Sequence, residues 1–180
     1  MYGLVNKAVV DLVCSKFGPE TWTKIKQKAD VDIDVFVGMD AYPDDITYRL
    51  VGAASEVLKI PPEAVLEAFG EYWVLYTAQE GYGPMLAAAG STLREFLMNL
   101  DALHARVALT MKELRPPRFR VVDVDTNTMI VEYHSTRQGL APMVIGLLRG
   151  LGIRFETPID ITHQKRPDHD EFLIRVKQAA

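Results

Sequence analysis

The segment Ser91–Val107 constrains this chain most. Leu93, Phe96, Leu97, Leu100, Leu103 and Val107 recur at three- and four-residue spacing, which lines them up as the apolar stripe of one helix. Thr92 followed by Glu95 fits a capping box at its start, the hydroxyl serving one orphan N–H and the carboxylate another. His104 lies on the stripe, whereas Arg94, Glu95, Asn99, Asp101 and Arg106 lie mostly elsewhere. An imidazole aimed into a core must find a partner, because leaving a buried polar group unpaired costs roughly 1–3 kcal/mol. Read from this helix alone, a core histidine satisfied by a backbone carbonyl is the simpler account, and metal ligation is the alternative.

A second stretch changes that balance. Met129–Arg137 reads as a strand running into a turn, and strand alternation places Tyr133, Ser135 and Arg137 on one face. Two hydroxyls and a guanidinium fork suit carboxylates or phosphates. A solvated strand face would show the same spacing, but here it is coupled to a histidine on an apolar stripe. Haem has both an iron that takes an imidazole and two carboxylates that take donors.

At these residues the chain resembles the haem-nitric oxide/oxygen-binding (H-NOX) domains, relatives of the haem domain of soluble guanylate cyclase. The resemblance is carried by Leu103-His104 within Leu-Asp-Ala-Leu-His-Ala-Arg-Val, by Tyr133-x-Ser135-x-Arg137, and by the opening Met-Tyr-Gly-Leu-Val-Asn. Phe69-Gly-Glu-Tyr-Trp73, Glu80-Gly-Tyr-Gly83 and Gly139-Leu-Ala-Pro-Met143 also match the stand-alone cyanobacterial-type members. The resemblance runs from Met1 to about Lys177. It implies haem b held without covalent bonds, His104 as the axial iron ligand, and Tyr133, Ser135 and Arg137 clamping the propionates. It aligns Pro117 with a proline pressed on the porphyrin face, and a helix stop explains Pro116 and Pro117 almost as well. It places Val5, Trp73, Met143 and Leu147 around the gas. Gly70, inside a helix, is accounted for equally by tight packing and by a pivot near the haem.

Composition bounds the remainder. A chain of 180 residues, 48% apolar and 24% charged, is expected to form a single globular domain spanning 1–180. A net charge of −4 gives no reason to expect nucleic acid or an anionic membrane as partner. Neither a signal peptide nor an apolar run of the ~18 residues needed to span a bilayer is apparent, and the single cysteine, Cys14, fits a reducing compartment; the expected location is the cytoplasm. Cys14 is expected to be a small buried hydrophobe, and the Cys-x-x-Cys-His spacing of covalent haem attachment is absent.

Read in order, the chain gives helices over Tyr2–Lys16, Thr21–Ala29 and Ile46–Leu58, with a loop at Asp30–Asp40. Another helix opens at Ile60-Pro-Pro-Glu63 and runs towards Gln79. Gly81-Tyr-Gly83 is expected to break the pattern before the histidine helix. After Pro116-Pro117 come strands at Arg118–Asp123 and Met129–His134, a helix from Leu140 ending near Gly150 or Gly152, and strands at Ile153–Thr162 and Glu171–Lys177. The expected class is α+β. About seven helices precede a four-stranded antiparallel sheet with one inserted helix, with haem buried between the halves.

Of the four histidines, His134 faces away from Tyr133 and Ser135, and His163 and His169 fall in a polar stretch expected to be solvated. Oxygen-binding relatives carry a tyrosine where this chain has Met143. A bound oxygen gains from a hydrogen-bond donor, and methionine supplies none. The resemblance therefore implies a sensor of nitric oxide, also binding carbon monoxide, that rejects oxygen. It would signal by release of His104 to a separate partner such as a histidine kinase or a cyclic-nucleotide or -dinucleotide enzyme. Trp73, Tyr72 and Tyr76 are the nearby groups that could reverse this by donating. Rival readings are an oxygen-binding sensor, a peroxidase-like haem enzyme, which would want a distal acid–base residue, and a haem-free ligand carrier.

Overall fold

The structure is a computed structural model that describes residues 1–177 and, within them, every side chain except those of residues 79–81 and 123. The Glu80–Gly83 motif is therefore described only in part at side-chain level. Seven helices come first: α1 (Gly3–Phe17), α2 (Pro19–Lys28), α3 (Asp44–Leu58), α4 (Pro62–Tyr72), α5 (Ala78–Ala87), α6 (Leu93–Met98) and α7 (Leu100–Thr110), with a π-helical turn, Trp73–Thr77, joining α4 to α5. Strands β1 (Arg118–Asp123) and β2 (Thr128–His134) precede α8 (Ala141–Arg154), and β3 (Ile159–Lys165) and β4 (Asp170–Val176) follow it. The sheet order is β1-β2-β4-β3, each neighbour antiparallel. This is the α+β arrangement read from the sequence.

Local chemistry explains most boundaries. Gly18 adopts φ 83, ends α1 and leads into Pro19, which is preset for a first helical turn. Acids stand in the first turns of α2, α3 and α4 at Glu20, Asp44, Asp45 and Glu63, where the helix dipole favours them. In β2, Met129, Val131 and Tyr133 are buried against Phe172 and Ile174, so the alternate residues Glu132 and His134 lie on the other face.

Three expectations are corrected. The stretch Ser91–Val107 is two helices, broken at Asn99 (φ −95, ψ 2), whose side chain donates to the Ala89 carbonyl at 2.8 Å. Asparagine offers the backbone this local alternative to a continuous helix. At the start of α6, Thr92 does accept the Glu95 N–H, at 3.2 Å, but the Glu95 carboxylate reaches back to the N–H and hydroxyl of Ser91 rather than to the N-cap's own N–H. Gly81-Tyr-Gly83 does interrupt the helical pattern as expected: Tyr82 is non-helical (φ −134, ψ 16) ahead of Pro84, so α5 is two helical pieces meeting at a kink. Finally, α8 passes through Gly150 and Gly152 to Arg154, so the next strand begins only at Ile159.

The last difference has a packing cause. A Cβ on Gly70 would fall on the Met143 carbonyl oxygen and lie 2.7 Å from the Leu147 nitrogen, and one on Gly146 would fall on the Glu67 carbonyl oxygen. One on Gly150 would lie 3.0 Å from the Val74 Cβ. These glycines are close-approach points between α8 and the α4–π segment rather than stops, and Arg149 pairs with Glu67 alongside them. Of the two accounts of Gly70, the contact is tight packing. α8 and the Leu140 that caps its start also join the halves: Leu140 and Met143 pack with the helical cluster around Leu50 and Ile25, while Val144, Leu148 and Leu151 pack with the sheet cluster.

Gly146→Ala is expected to cost about 1–3 kcal/mol, as overpacking does. Gly52→Ala, in α3 with nothing within 4 Å of the new methyl, is expected to be neutral or to stabilise by about 0.5–1 kcal/mol. Urea unfolding of both variants checks the contrast, and equal midpoints would contradict it.

Candidate functional site

A cavity of about 280 Å³ lies where α1, the π turn, α5, α7, β2 and α8 converge. Its walls are largely apolar: Val5 from α1, Trp73 from the π turn, Leu103 and Val107 from α7, and Met143, Val144 and Leu147 from α8. Pro116 and Pro117 line it from the segment after α7. A smaller cavity of about 120 Å³ shares Trp73, Leu103, His104, Phe119, Val144 and Leu147 with it and reaches Phe96 and Arg154.

His104 lines both cavities. The residue is partly accessible, but its Nδ1 is buried and has no hydrogen-bond partner among the described residues. A satisfied core histidine would have one. Burial pushes the imidazole pKa below its ordinary value, and the charge of Asp101 opposes this with less effect. The Phe119 ring stands beside it, centroids 5.7 Å apart. Asp101 fixes that neighbourhood: its carboxylate accepts the Phe119 backbone N–H at 2.6 Å, joining the first turn of α7 to β1.

The polar lining gathers at Tyr133, Ser135 and Arg137. Only Tyr133 belongs to β2, which ends at His134; Ser135 and Arg137 follow in a turn, where the Arg137 N–H donates to the Ser135 Oγ at 3.1 Å. Tyr133 is 5% exposed. Burial pushes its phenol pKa up, while a hydrogen bond with Ser135 and the charge of Arg137 pull the other way. The Arg137 Nε donates to Asp44 at 2.7 Å and an Nη to the Arg115 carbonyl at 2.8 Å. Asp44 also pairs with the Met1 ammonium, which donates to the Tyr42 carbonyl at 2.7 Å. Burial raises the Asp44 pKa, but the Arg137 and N-terminal donors outweigh it and hold the carboxyl below its usual range.

All nine residues singled out from the sequence (Val5, Trp73, His104, Pro117, Tyr133, Ser135, Arg137, Met143 and Leu147) line this one cavity. Sequence reasoning missed Asp44, Arg115 and Met1. Asp44 was legible only as a first-turn acid, and its pairing with Arg137 spans 93 positions. Of the possible donors, Tyr72 and Tyr76 stack on each other with centroids 4.8 Å apart and do not line the cavity, whereas Tyr82 does. His134, His163 and His169 stand outside it. His163 and His169 are not simply solvated, since they pair with Asp170 at 2.7 Å and Asp168 at 2.8 Å.

A buried, unpaired imidazole nitrogen in an apolar cavity that also carries a guanidinium and two hydroxyls fits haem. His104 would hold the iron, and Arg137, Tyr133 and Ser135 the propionates. Among the described residues no helix is long and apolar enough to cross a membrane.

The haem-NO-binding family profile matches residues 2–163. Among curated proteins, soluble guanylate cyclase gcy-35 of Caenorhabditis elegans is 31% identical over 170 residues, 92% of this chain and 25% of that protein. Guanylate cyclase soluble subunit beta-2 of Rattus norvegicus is 40% identical over 93 residues, 52% of this chain and 14% of its own length. The chain thus spans about a quarter of the length of the cyclase it matches over its greater part. Among solved structures, an H-NOX protein from S. oneidensis in the Fe(II)NO state superposes with a TM-score of 0.89 at 21% identity, covering 99% of this chain and 100% of that one. The Fe(II) unliganded H-NOX protein from K. algicida gives 0.86 at 20% identity, covering 99% and 98%. At these identities the structures show the common fold.

The lowered pKa of His104 has a signed consequence for stability. Without haem, the unfolded chain takes up a proton near pH 6.5 that the folded chain refuses. The contribution of neutral His104 is therefore fully present above about pH 6.5 and declines as pH falls towards the folded-state pKa. Denaturant unfolding of the haem-free protein between about pH 7 and 5 is expected to lose stability less steeply in His104→Phe than in the native chain. Parallel pH profiles would contradict this.

Proposed function

This chain belongs to the haem-NO-binding (H-NOX) family, and on that premise we propose that it is a nitric oxide sensor holding haem b without covalent bonds through His104. The family is one of haem-binding gas sensors rather than catalysts. The observation that carries the reading is the orphaned Nδ1 of His104 on a cavity that also bears Arg137. When bound, the haem supplies a ferrous iron with one open side for a diatomic ligand.

The chain's own residues do the remaining work. His104 holds the iron from α7, and Tyr133, Ser135 and Arg137 hold the propionates from the end of β2 and the turn after it. Val5, Trp73, Met143 and Leu147 enclose the gas and exclude water, and Pro117 bears on the porphyrin. Oxygen draws negative charge towards its outer atom on binding and gains from a donor, whereas nitric oxide and carbon monoxide gain less. Met143 offers no proton, so the pocket favours nitric oxide and carbon monoxide over oxygen. Because His104 would hold the iron from α7, it would couple the haem to the packing of α7 against β1, a two-state contact that a separate protein can read. A histidine kinase or a cyclic-nucleotide or -dinucleotide enzyme in the cytoplasm is the proposed partner, with 1–180 acting as one sensor domain.

Tyr82 favours a second reading. Its phenol, with a pKa raised by burial, belongs to a residue lining the cavity. If it donates to the gas, the protein binds oxygen.

Absorption spectra of the ferrous protein alone, in air, and with nitric oxide or carbon monoxide separate these readings. Gas complexes with nitric oxide and carbon monoxide but no stable oxygen complex are expected. A stable oxygen complex that Tyr82→Phe abolishes establishes the second reading, and a colourless protein that takes up no haem removes both. His104→Gly is expected to lose haem unless free imidazole is supplied, and undiminished haem content would overturn His104 as the ligand.

Met143→Tyr is expected to raise oxygen affinity about 5- to 150-fold, the value of one added hydrogen bond of roughly 1–3 kcal/mol in a dry pocket. Carbon monoxide affinity should change little. Gas titration of the haem-replete variant gives the answer, and unchanged oxygen affinity would mean that the side chain does not reach the gas.

A further inference from the structure

Away from the cavity, on the opposite face of β2, the sheet brings together groups that the gas-sensing reading does not use. His134 ends β2, and Asp168 and His169 stand on the short connection between β3 and β4, closed by the Arg166 N–H donating to the His169 carbonyl at 2.9 Å. The His134 and His169 rings stack with centroids 4.8 Å apart and planes 27° from parallel. One ligand atom from each of His134, Asp168 and His169 lies within 4.8 Å of the others. Glu132 and Glu171 flank the group: Glu132 is 3.6 Å from the His134 Nε2, and Glu171 is 3.3 Å from the His169 Nε2.

We propose that His134, His169 and Asp168 form a binding site for a divalent transition-metal ion of the zinc type on the outer face of the sheet. The choice of ligands follows from charge. Glu171 is already neutralised by Arg166 at 2.7 Å, and Glu132 is shared between Arg120 at 3.4 Å and His134. Among the described residues the Asp168 carboxylate has no arginine or lysine partner; its ion pair is with His169, at 2.8 Å. It is also 77% exposed and therefore free to turn. Two imidazoles and a carboxylate are a borderline donor set, which suits zinc, copper(II) or nickel(II) and not magnesium or calcium. Three protein ligands with water in the fourth position match tetrahedral zinc.

Zinc bonds of about 2.0–2.1 Å place tetrahedral ligands roughly 3.3 Å apart. Closing a group now spread over at most 4.8 Å asks the ligand atoms to move by roughly 1 Å or more and the two stacked rings to turn so that their lone pairs converge on the ion. With the His169 Nδ1, which faces Asp168, as the ligand atom, the Glu171 carboxylate 3.3 Å from the His169 Nε2 would accept the remaining N–H. A bound ion would cross-link the end of β2, directly after Tyr133, to the β3–β4 connection.

The test is isothermal titration of the haem-replete, chelator-treated full chain with zinc(II). One equivalent binding with a dissociation constant of about 10 µM or tighter is expected. His134→Gln and His169→Gln should each weaken it at least about tenfold, and Asp168→Asn, at an exposed position where folding is not at stake, should weaken it as well. His163→Gln, on β3 and outside the ligand set, should bind zinc as the native chain does. Zinc should raise the unfolding temperature of the native protein and not that of Asp168→Asn. Absence of a saturable first equivalent, or its survival unchanged in Asp168→Asn and both histidine variants, overturns the site and leaves the cluster as an Asp–His ion-pair network.

Discussion

The close approach of α8 to α4 is the constraint on which the site depends. Helix axes ordinarily sit 8–10 Å apart, and large side chains at the contact push them further. Here Gly70 and Gly146 meet backbone directly across the contact. That meeting sets where the first two turns of α8 stand, and those turns carry Met143, Val144 and Leu147. It also places Val74 against Gly150, next to Trp73 in the π turn. Several walls of the cavity are therefore positioned by the absence of side chains elsewhere. Each helical glycine costs roughly 0.5–1 kcal/mol against alanine, and the packing it permits offsets that cost.

The two ends of the polar lining are held by different means. His104 is positioned from one side only, by the Asp101 bond to β1 and by packing beside Phe119, and its ring nitrogen is left without a protein partner. Arg137 is held from three sides by Asp44, the Arg115 carbonyl and its own turn. Since Asp44 also takes the Met1 ammonium, the guanidinium shares its carboxylate partner with a second cation. All three guanidinium nitrogens have protein acceptors, which fix the position of the group, and a ligand carboxylate would share it with Asp44. A fixed guanidinium and an unsatisfied imidazole thus line one largely apolar space.

The parts legible in the sequence were those written by local periodicity. The apolar spacing around His104 and the alternation at Tyr133 each point to the cavity without knowledge of distant contacts. The breaks were harder. Asn99 interrupts an unbroken apolar stripe because its amide serves the Ala89 carbonyl, a contact that spacing cannot show. Gly150 and Gly152 carry the ordinary signature of a helix stop and are instead a packing surface. Asp44 looked like any acid at a helix start, and its role at the site arises from tertiary structure alone. The π turn carries no marking in the sequence; it inserts its extra residue into an otherwise continuous pattern.

The bond between Asp101 and the Phe119 N–H also makes α7 a lever with its pin near one end. His104 stands within one turn of that pin, whereas Thr110 lies nine residues along, roughly 13 Å at the helical rise of about 1.5 Å per residue. Any swing about Asp101 is small at His104 and several times larger at the far end. There Leu109 is 82% exposed, an apolar side chain at the point of greatest travel.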